Sequence, residues 1–535
     1  MTDRRFNQMR SRGWYQSVAM FGILMISAPG FANQTSNADA TSLSYPIVET
    51  NQTDCFGISN ALELCPNKDG KTFGQDSQYR GYIPSYTDNR NGTVTDNVTR
   101  LTWTQSIDIN KDGKIDVHDK LTYEEALQYS LNLNQGGYED WRLPTIKELY
   151  SLIMFDGQDP SGLNNAGNID IVPFIDDKVF GFDSGDTASG ERLIDSQYVS
   201  STKYVTTTMK GDETVFGVNF IDGRIKGYGL KSPKGGEKTF YVMAVRGNID
   251  YGINLYIDNK DGTITDKATG LVWQKGDSGM GVNWLLALSY CENLTQAGRS
   301  DWRLPDVKEL QSIVDYSRSP ETTNSAAINP LFLVSSIVGE SDKIDYPNFW
   351  SSTTHKNLKN GKNASYVAFG RSLGYMGGQW MDVHGAGSQR SDPKTGDALQ
   401  YPTGHGPQGD AIRIENYVRC VAGGRAVFTQ QPIRLSRKGK TYTLTGHEIR
   451  QNKASSGLSD DLPSMGMKAQ FSMDRPMNGD PSQGGDPFTM MDTNNDGKLS
   501  KQEVKGPLAK DFSRIDRNND GYISKDEMPE LPARR

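Results

Sequence analysis

The pentapeptide Asp-Trp-Arg-Leu-Pro occurs twice, at residues 140–144 and at residues 301–305, and these two copies decide the fold. Each copy is followed by a helix start, Thr-Ile-Lys-Glu-Leu at 145–149 and Asp-Val-Lys-Glu-Leu at 306–310. The first residue of each start can accept hydrogen bonds from the free amides of the first helical turn, and the glutamate three residues later can accept one from the amide of that capping residue. Since proline ends the extended segment before the cap, each copy predicts a corner between a strand and a helix.

The residues around the two copies match each other in the same order, which indicates an internal duplication. The matching pairs of segments are 96–103 with 266–273, 123–130 with 284–291, 199–202 with 350–353, and 241–245 with 417–421. We therefore predict two homologous domains, at residues 84–247 and 254–424.

The composition indicates a polar protein rich in loops and β structure. Of 535 residues, 58 are basic and 65 are acidic, and this mildly acidic balance argues against nucleic acid as a partner. Hydrophobic residues make up 35% of the chain and aromatic residues 10%, with a mean hydropathy of −0.62. These values are typical of surface-exposed modules that contain β sheet and not of a large α/β enzyme.

The N-terminus has the features of an export signal. Four arginines among the first twelve residues precede an apolar run at 18–28, and the small residues Gly30 and Ala32 fit a signal-peptidase site before Asn33. The alternative is a membrane anchor, but the run is too short to span a bilayer. We predict a signal peptide at 1–32 and an exported protein that is periplasmic, on the cell surface or secreted, with no transmembrane segment after the signal is removed.

The mature chain has four cysteines, an even number in an oxidising compartment. Cys291 and Cys420 of the second domain correspond to Ser130 and Ala244 of the first, so both are missing together, as expected of a bonded pair. The other two, in an N-terminal extension at 33–83, then pair by elimination. A reactive thiol or a metal site would need a histidine or a further cysteine nearby. The predicted disulfides are Cys55–Cys65 and Cys291–Cys420.

As a set, these motifs resemble the Lcl C-terminal domain family. The set comprises D-x-x-T-x-L-x-W, a helix ending in Tyr-Cys-Glu-Asn-Leu, D-W-R-L-P-x-x-K-E-L, W-S-S-T and Y-V-R-C-V, and it covers most of residues 50–424 in two copies. The family is similar in pattern to the C-type-lectin-like fold, in which a cysteine of the first helix bonds the last strand. The resemblance implies a role in recognition, because the family includes a bacterial surface adhesin that binds sulfated glycosaminoglycans.

The resemblance leaves the ligand of this chain open. No collagen-like Gly-X-Y repeat is present, and the chain is acidic overall, whereas a polysulfated ligand requires a basic patch. The first domain has a basic stretch, although such a stretch is more often a solvated face. Its residues are Lys203, Lys210, Arg224, Lys226, Lys231, Lys234 and Lys238.

The duplicated corner also resembles formylglycine-generating enzymes, which share the C-type-lectin-like fold. Catalysis of that type needs a pair of active-site cysteines that hold a metal, and Cys291 and Cys420 are assigned to a disulfide. The calcium motifs of C-type lectins, Glu-Pro-Asn or Gln-Pro-Asp with Trp-Asn-Asp, do not occur, and the five histidines are not spaced as ligands on one helix. We predict no catalytic residues and a protein that is not an enzyme.

Two twelve-residue segments near the C-terminus, 492–503 and 516–527, have the pattern of EF-hand calcium loops. Each has oxygen-bearing side chains at positions 1, 3, 5, 9 and 12 and glycine at position 6. Position 7 would contribute a backbone carbonyl, and the glutamate at position 12 both carboxylate oxygens. The alternative is a solvated acidic tail. The predicted Ca²⁺ ligands are Asp492, Asn494, Asp496, Lys498, Ser500 and Glu503 in the first loop, and Asp516, Asn518, Asp520, Tyr522, Ser524 and Glu527 in the second.

A third segment of this kind, residues 108–119, is inserted in the first repeat only. Aspartate replaces glutamate at position 12, as in dockerin-type loops, and its shorter side chain can still bind calcium. The similar segments 88–92 and 258–262 lack a full ligand set, and they predict tight hairpin turns instead. The predicted ligands of the inserted loop are Asp108, Asn110, Asp112, Lys114, Asp116 and Asp119.

The sequence therefore predicts an α+β protein with two tandem C-type-lectin-like domains, a polar linker at 425–486, and a small α-helical EF-hand module at 487–535. We expect a non-catalytic, calcium-binding protein that recognises a glycan or a protein at the cell surface or in the periplasm. One alternative is an enzyme or enzyme accessory of the formylglycine-generating type. Another is a structural envelope protein that calcium stabilises.

Overall fold

The computed structural model describes residues 42–162, 167–232, 235–424, 426–444 and 496–504, together with 512–516, 518, 520–525 and 527. The predicted signal peptide, the later part of the predicted linker, and the predicted ligands Asp492 and Asn494 lie outside the described residues. Strands dominate the described chain, and none of its helices exceeds nine residues, so the architecture is β-rich. In these residues no helix has the length and apolar character needed to cross a bilayer.

The first repeat follows a short strand of the N-terminal extension, β1 (Tyr79–Arg80). Its strands are β2 (Tyr86–Asp88), β3 (Thr93–Asp96), β4 (Leu101–Thr104), β5 (Gly167–Ile171), β6 (Gln197–Thr208), β7 (Asp212–Asn219), β8 (Arg224–Gly229) and β9 (Val245–Gly247). Its helices are α1 (Tyr123–Leu131) and α2 (Ile146–Tyr150), with short 3-10 helices at Val117–Asp119 and Thr187–Ser189.

The second repeat contains counterparts of both α-helices and of the sheet strands of the first, together with several additional short elements, but among its described elements none corresponds to β5 or to the 3-10 helix of the inserted loop. Its strands are β10 (Tyr256–Asp258), β11 (Thr263–Asp266), β12 (Leu271–Gln274), β13 (Ile337–Val338), β14 (Ile344–Asp345), β15 (Asn348–His355), β16 (Asn363–Ala368), β17 (Leu373–Met376), β18 (Gln379–Asp382), β19 (Gln389–Pro393) and β20 (Val421–Gly423). Its helices are α3 (Trp284–Glu292), α4 (Val307–Ser312) and α5 (Pro320–Thr323). The C-terminal part adds β21 (Val427–Phe428), β22 (Lys440–Leu444), β23 (Lys498–Ser500), α6 (Phe512–Ile515) and β24 (Tyr522–Ser524).

Each repeat forms the same four-stranded antiparallel sheet, in the order β2-β3-β4-β9 in the first and β10-β11-β12-β20 in the second. The register is also the same, because Trp103 pairs with Val245 and Trp273 pairs with Val421. The predicted hairpin turns are present between β2 and β3 and between β10 and β11. The two copies of the sequence therefore have one local fold.

A second sheet joins the two repeats. It has six antiparallel strands in the order β15-β16-β19-β8-β7-β6, so each repeat supplies three of them. The equivalent edge strands β8 and β19 meet at the centre through the pair Gln389 and Ile225. Equivalent edges that meet antiparallel are the arrangement found in a two-fold symmetric dimer. The chain is thus built like an internal dimer of its repeat.

The duplicated corner forms as predicted at its helical end. In both copies the capping residue accepts from first-turn amides and the glutamate accepts from the amide of the capping residue. Arg303 donates to Glu309 at 2.6 Å, and Arg142 forms the equivalent ion pair with Glu148. The extended piece is shorter than predicted, because only the arginine of each copy bridges a neighbouring strand.

The lysine of each corner reaches into the other repeat. Lys147 donates to the carbonyl oxygen of Ser312 at 2.7 Å, and Lys308 donates to that of Ser151 at 2.9 Å. The two serines occupy equivalent positions, three residues after the glutamates of the two corners. Burial lowers the pKa of both lysines to about 8. This reciprocal pair of contacts fixes how the repeats pack.

One hydrophobic cluster extends through both repeats. It includes Trp103 and Leu149 from the first repeat, Trp273 and Leu310 from the second, and Tyr45 from the N-terminal extension. The two predicted domains therefore share a main core, and each also has a smaller hydrophobic cluster without residues of the other repeat.

Both predicted disulfides are present. Cys291 of α3 bonds Cys420 beside β20, with 5.5 Å between the Cα atoms, and Cys55 bonds Cys65 within the N-terminal extension. In the first repeat, the position of Cys291 is taken by Ser130, which is fully buried and whose hydroxyl has no hydrogen-bond partner in the described structure. This site therefore retains the space and the burial of a cysteine without the bond.

The first part of the predicted linker pairs with the rest of the chain. Strand β21 pairs with β1, and β22 pairs with β5 of the first repeat. Between these strands, Arg437 donates to both carboxylate oxygens of Asp156, at 2.6 and 2.8 Å. Within the predicted linker, segments 428–432 and 441–445 predict two strands, which agree with β21 and β22, and the polar composition that predicts a tether is confined to residues from about 448 to 486. The remaining predicted linker, 445–486, lies outside the described residues.

Asp76 joins the N-terminal extension to the second repeat. Its carboxylate accepts hydrogen bonds from Thr50 at 2.8 Å and from Thr353 of the Trp-Ser-Ser-Thr motif. Thr353 in turn accepts from the amide of Val307, at the start of α4. Burial raises the pKa of Asp76 to about 7, although these hydroxyl groups oppose the shift.

Asp76 should make the stability of the protein depend on pH. The folded state holds the proton of Asp76 up to about pH 7, whereas an unfolded aspartate releases it near pH 4. Its contribution should therefore fall as the pH rises through that window. We expect Asp76→Asn to reduce the loss of unfolding free energy between about pH 4 and pH 7, measured in urea. Asp261→Asn, at an exposed carboxylate, is the control, and equal slopes in wild type and Asp76→Asn would contradict the prediction.

The missing disulfide of the first repeat should be restorable. We expect Ser130→Cys with Ala244→Cys to form a bond, which mass spectrometry and thiol labelling of the denatured protein would detect. A disulfide that closes a loop of this length should raise the free energy of unfolding by about 4 to 5 kcal/mol in the chain-entropy model. Each single cysteine variant is a control. Two labelled thiols in the double variant would mean that the repeats do not superimpose here.

Candidate metal centre

The second C-terminal loop, 516–527, is folded around its oxygen-bearing side chains. Asp516 at position 1 accepts from the amide of Gly521 at 3.0 Å. At position 3, Asn518 accepts from the amide of Asp520 at 2.8 Å. Asp520 at position 5 accepts from the amide of Tyr522 at 2.9 Å. These hydrogen bonds hold three predicted ligands on one turn of chain.

Glu527 closes the same loop from position 12. One carboxylate oxygen accepts from the amide of Asn518 at 3.1 Å, and the other accepts from the amide of Ser524 at 2.9 Å. The glutamate is 7% exposed. These contacts tie both carboxylate oxygens to positions 3 and 9 of the loop, and bidentate binding of calcium would use both of these oxygens.

The first C-terminal loop repeats this pattern over its described residues. The amide of Lys498 donates to Asp496 at 2.9 Å, and the amide of Ser500 donates to Glu503 at 2.9 Å. The two loops are joined by β23 and β24, in which Leu499 pairs with Ile523, as predicted for position 8. Both of these side chains are fully buried. The loops therefore form a pair.

The donor chemistry of these loops fits calcium. All of their ligand groups are oxygens from carboxylates, amides, hydroxyls or carbonyls, which suit a hard divalent cation, whereas zinc prefers histidine and cysteine. Within the described residues, no three His, Cys, Asp or Glu side chains come together as a metal cluster. In a bound state, Asn518 and backbone carbonyls would supply part of the coordination.

The inserted loop, 108–119, lies between β4 and α1 of the first repeat. All six of its predicted ligands are described, and the loop ends in the 3-10 helix Val117–Asp119; its aspartates are not drawn together as a metal cluster. A capping box forms at the start of that helix, since Asp116 accepts from the amide of His118 and Asp119 accepts from the amide of Asp116.

Comparison with known protein families assigns both parts of the chain. The Lcl C-terminal domain model matches residues 92–246 and again 262–384, which together exceed half of the chain, and an EF hand model matches 486–506 and 509–530. The chain belongs to the Lcl C-terminal domain family. The predicted family and the predicted EF-hand pair are thereby confirmed. Comparisons with curated proteins and with solved structures each return no match.

Part of the basic stretch of the first Lcl C-terminal domain is used within the fold. Lys203 forms an ion pair with Glu213 at 2.6 Å, and Lys226 pairs with Asp222. Burial lowers the pKa of Lys226 and of Lys238 to about 8. Lys210 and Lys231 are exposed, and Lys234 lies outside the described residues. The paired and buried cations weaken the patch that a polysulfated ligand requires.

The first Lcl C-terminal domain also has a cleft that the sequence did not reveal. Its volume is about 300 Å³, and it lies between the start of α1, the β6-β7 turn and the segment after β8. The lining residues come from three separate stretches, so no local motif marks them. Its charged lining is mostly acidic, with Glu124, Asp212, Glu213 and Glu237 facing Lys231.

Glutamate at position 12 should control calcium binding by the EF-hand pair. We expect Glu503→Gln and Glu527→Gln each to lower calcium affinity by about tenfold or more, since changes to residues behind a metal ligand already cost about 10- to 100-fold. Isothermal titration of the mature chain would measure the affinity. Tyr522→Phe is the matched control, because position 7 contributes only its backbone carbonyl. Unchanged titrations in both glutamine variants would refute the assignment.

Proposed function

We propose that this protein is an exported, calcium-binding recognition protein. In this proposal, two Lcl C-terminal domains form one non-catalytic body that contacts a glycan or a protein ligand, and calcium orders loops. The observation that carries the proposal is the joining of a paired EF-hand module to two family domains that share a core and a sheet. Two disulfides are compatible with an exported protein.

The state of the cysteines supports recognition over catalysis. An enzyme of the formylglycine-generating type needs reduced active-site cysteines, and all four cysteines of this chain are bonded. Two histidines are also held in the interior, since His355 contacts the carbonyl oxygen of Asp222 and His384 contacts Asp410. Burial lowers the pKa of His355 to about 4, so this imidazole stays neutral at physiological pH.

The charge of the first domain bears on the class of ligand. The charged residues that line its cleft are mostly carboxylates, and two lysines of the basic stretch, Lys203 and Lys226, are already paired with carboxylates. Such a surface repels polysulfated chains and favours neutral or cationic groups, for example the hydroxyl groups of a neutral glycan. We therefore rank neutral glycans and basic protein segments above sulfated glycosaminoglycans as ligands.

A glycan array tests this proposal directly. The mature chain, residues 33–535, would be applied in calcium and again in chelator to an array that includes sulfated glycosaminoglycans. We expect specific binding to neutral glycans that weakens in chelator, with the Glu503→Gln/Glu527→Gln variant as the control for the EF-hand pair. A blank array in both conditions would overturn the glycan assignment in favour of a protein ligand or a structural role in the envelope.

A further inference from the structure

We propose that the inserted loop, 108–119, is a third calcium site, built into the first Lcl C-terminal domain and independent of the EF-hand pair. This site goes beyond the proposed function, because neither EF-hand match includes residues 108–119. Calcium bound there would act on the fold of the first repeat itself. The ligands are Asp108, Asn110, Asp112, the carbonyl of Lys114, Asp116 and Asp119.

The first half of the inserted loop has the same hydrogen bonds as the loop 516–527. Asp108 at position 1 accepts from the amide of Gly113 at 3.0 Å, as Asp516 does from its glycine. Asn110 at position 3 accepts from the amide of Asp112 at 2.9 Å. Asp112 then accepts from the amide at position 7 at 2.9 Å. The structure thus gives this loop the conformation of an EF-hand loop, position by position.

The second half agrees as well, despite the shorter residue at position 12. Asp119 accepts from the amide of Asn110 at 3.3 Å with one oxygen and from the amide of Asp116 at 3.0 Å with the other. Glu527 makes the equivalent two contacts, at 3.1 and 2.9 Å. Asp119 therefore closes the loop in the same way as the glutamate.

Two observations outside this hydrogen-bond pattern point to a bound cation. The Oδ1 atom of Asp108 is buried and has no hydrogen-bond partner in the described structure. Asp119 is 0% exposed, yet no lysine, arginine or histidine among the described residues lies within ion-pair distance of it. A buried carboxylate without a counter-charge is costly, and a divalent cation would supply that charge.

The donor set selects the class of metal. Every group is an oxygen, so a hard divalent cation is favoured over zinc or copper. The ligands come from a flexible loop with a carbonyl at position 7, which suits the variable geometry of calcium, whereas magnesium demands a near-ideal octahedron. The site therefore fits calcium.

The surroundings of the loop give the metal a structural role. Ile115 at position 8 packs against the main hydrophobic core, and Ile107, just before the loop, is fully buried in it. Directly after the loop, Lys120 donates to Glu191 at 2.5 Å and to the carbonyl of Asp195 at 2.7 Å. Calcium in the loop would therefore stabilise the first repeat and the segment 186–195 that packs beside it.

Calcium counting on the mature chain tests this proposal. Equilibrium dialysis with calcium should give three bound ions per wild-type chain, two for Asp108→Asn/Asp112→Asn, and one for Glu503→Gln/Glu527→Gln at concentrations that saturate only intact loops. The control variant Asp261→Asn, in the calcium-like hairpin of the second repeat, should still bind three calcium ions. Two ions in wild type with none in the glutamine variant would overturn the third site and leave the EF-hand pair intact.

Limited proteolysis separates the two kinds of site by a measurement other than the number of bound ions. In the glutamine variant, the inserted loop is unchanged, so calcium should still protect the first repeat against cleavage between residues 104 and 122. Asp108→Asn/Asp112→Asn should lose this protection while its C-terminal loops still bind calcium. Equal cleavage of the glutamine variant in calcium and in chelator would refute the site. Failure of the EF-hand pair alone would leave this protection in place.

Discussion

The packing of this protein depends on two buried lysines, Lys147 and Lys308, each of which bonds a carbonyl of the opposite repeat. A buried ammonium group is costly unless its hydrogen bonds are satisfied, and each lysine also bonds further acceptors, such as the carbonyl of Glu49 for Lys308. The lysines can be presented this way because each lies on a short helix whose start is fixed by a capping box. The Arg-Glu ion pair of the same motif holds that helix against the sheet. One duplicated motif therefore sets both the local corner and the contact between repeats.

This reciprocal contact explains why the two repeats form one folded body. Strands β8 and β19 meet as equivalent edges and make a six-stranded sheet, so neither repeat leaves that edge exposed to pair with other chains. Several features differ between the repeats. They include the inserted loop at 108–119 and the cleft in the first repeat, and the disulfide and the β17-β18 hairpin in the second. This hairpin still contacts the first repeat, because Tyr204 of β6 donates to Asp382 at 2.9 Å. A symmetric contact combined with these differences would allow the two copies to take different roles.

The sequence predicted the features that depend on nearby residues. Capping boxes and hairpin turns are local, and the disulfide Cys291–Cys420 was readable because Ser130 and Ala244 replace both partners together. The central sheet was not predictable, because β8 and β19 meet through the single pair Gln389 and Ile225, which leaves no periodic pattern. The pairing of the basic residues was not predictable either, because their carboxylate partners lie on neighbouring turns and strands of the folded chain. For the metal sites, the spacing of the oxygen-bearing residues was enough to predict the loops. The burial of their side chains, in which the loops differ, could be seen only in the folded structure.

The loops at 108–119 and 516–527 share one arrangement of predicted ligands but lie in different structural surroundings. In the C-terminal pair, position 8 of each loop pairs with the other, so each loop is supported by its partner, and both side chains also join a hydrophobic cluster with Trp284 of the second repeat. In the inserted loop, Ile115 at position 8 packs on the core of the first repeat, so its support does not depend on a second loop. A core that is already folded holds the ligands close to their binding positions and lowers the ordering cost of binding. By this argument, the inserted loop would need little further ordering to bind calcium, and the bound ion would fix the first repeat.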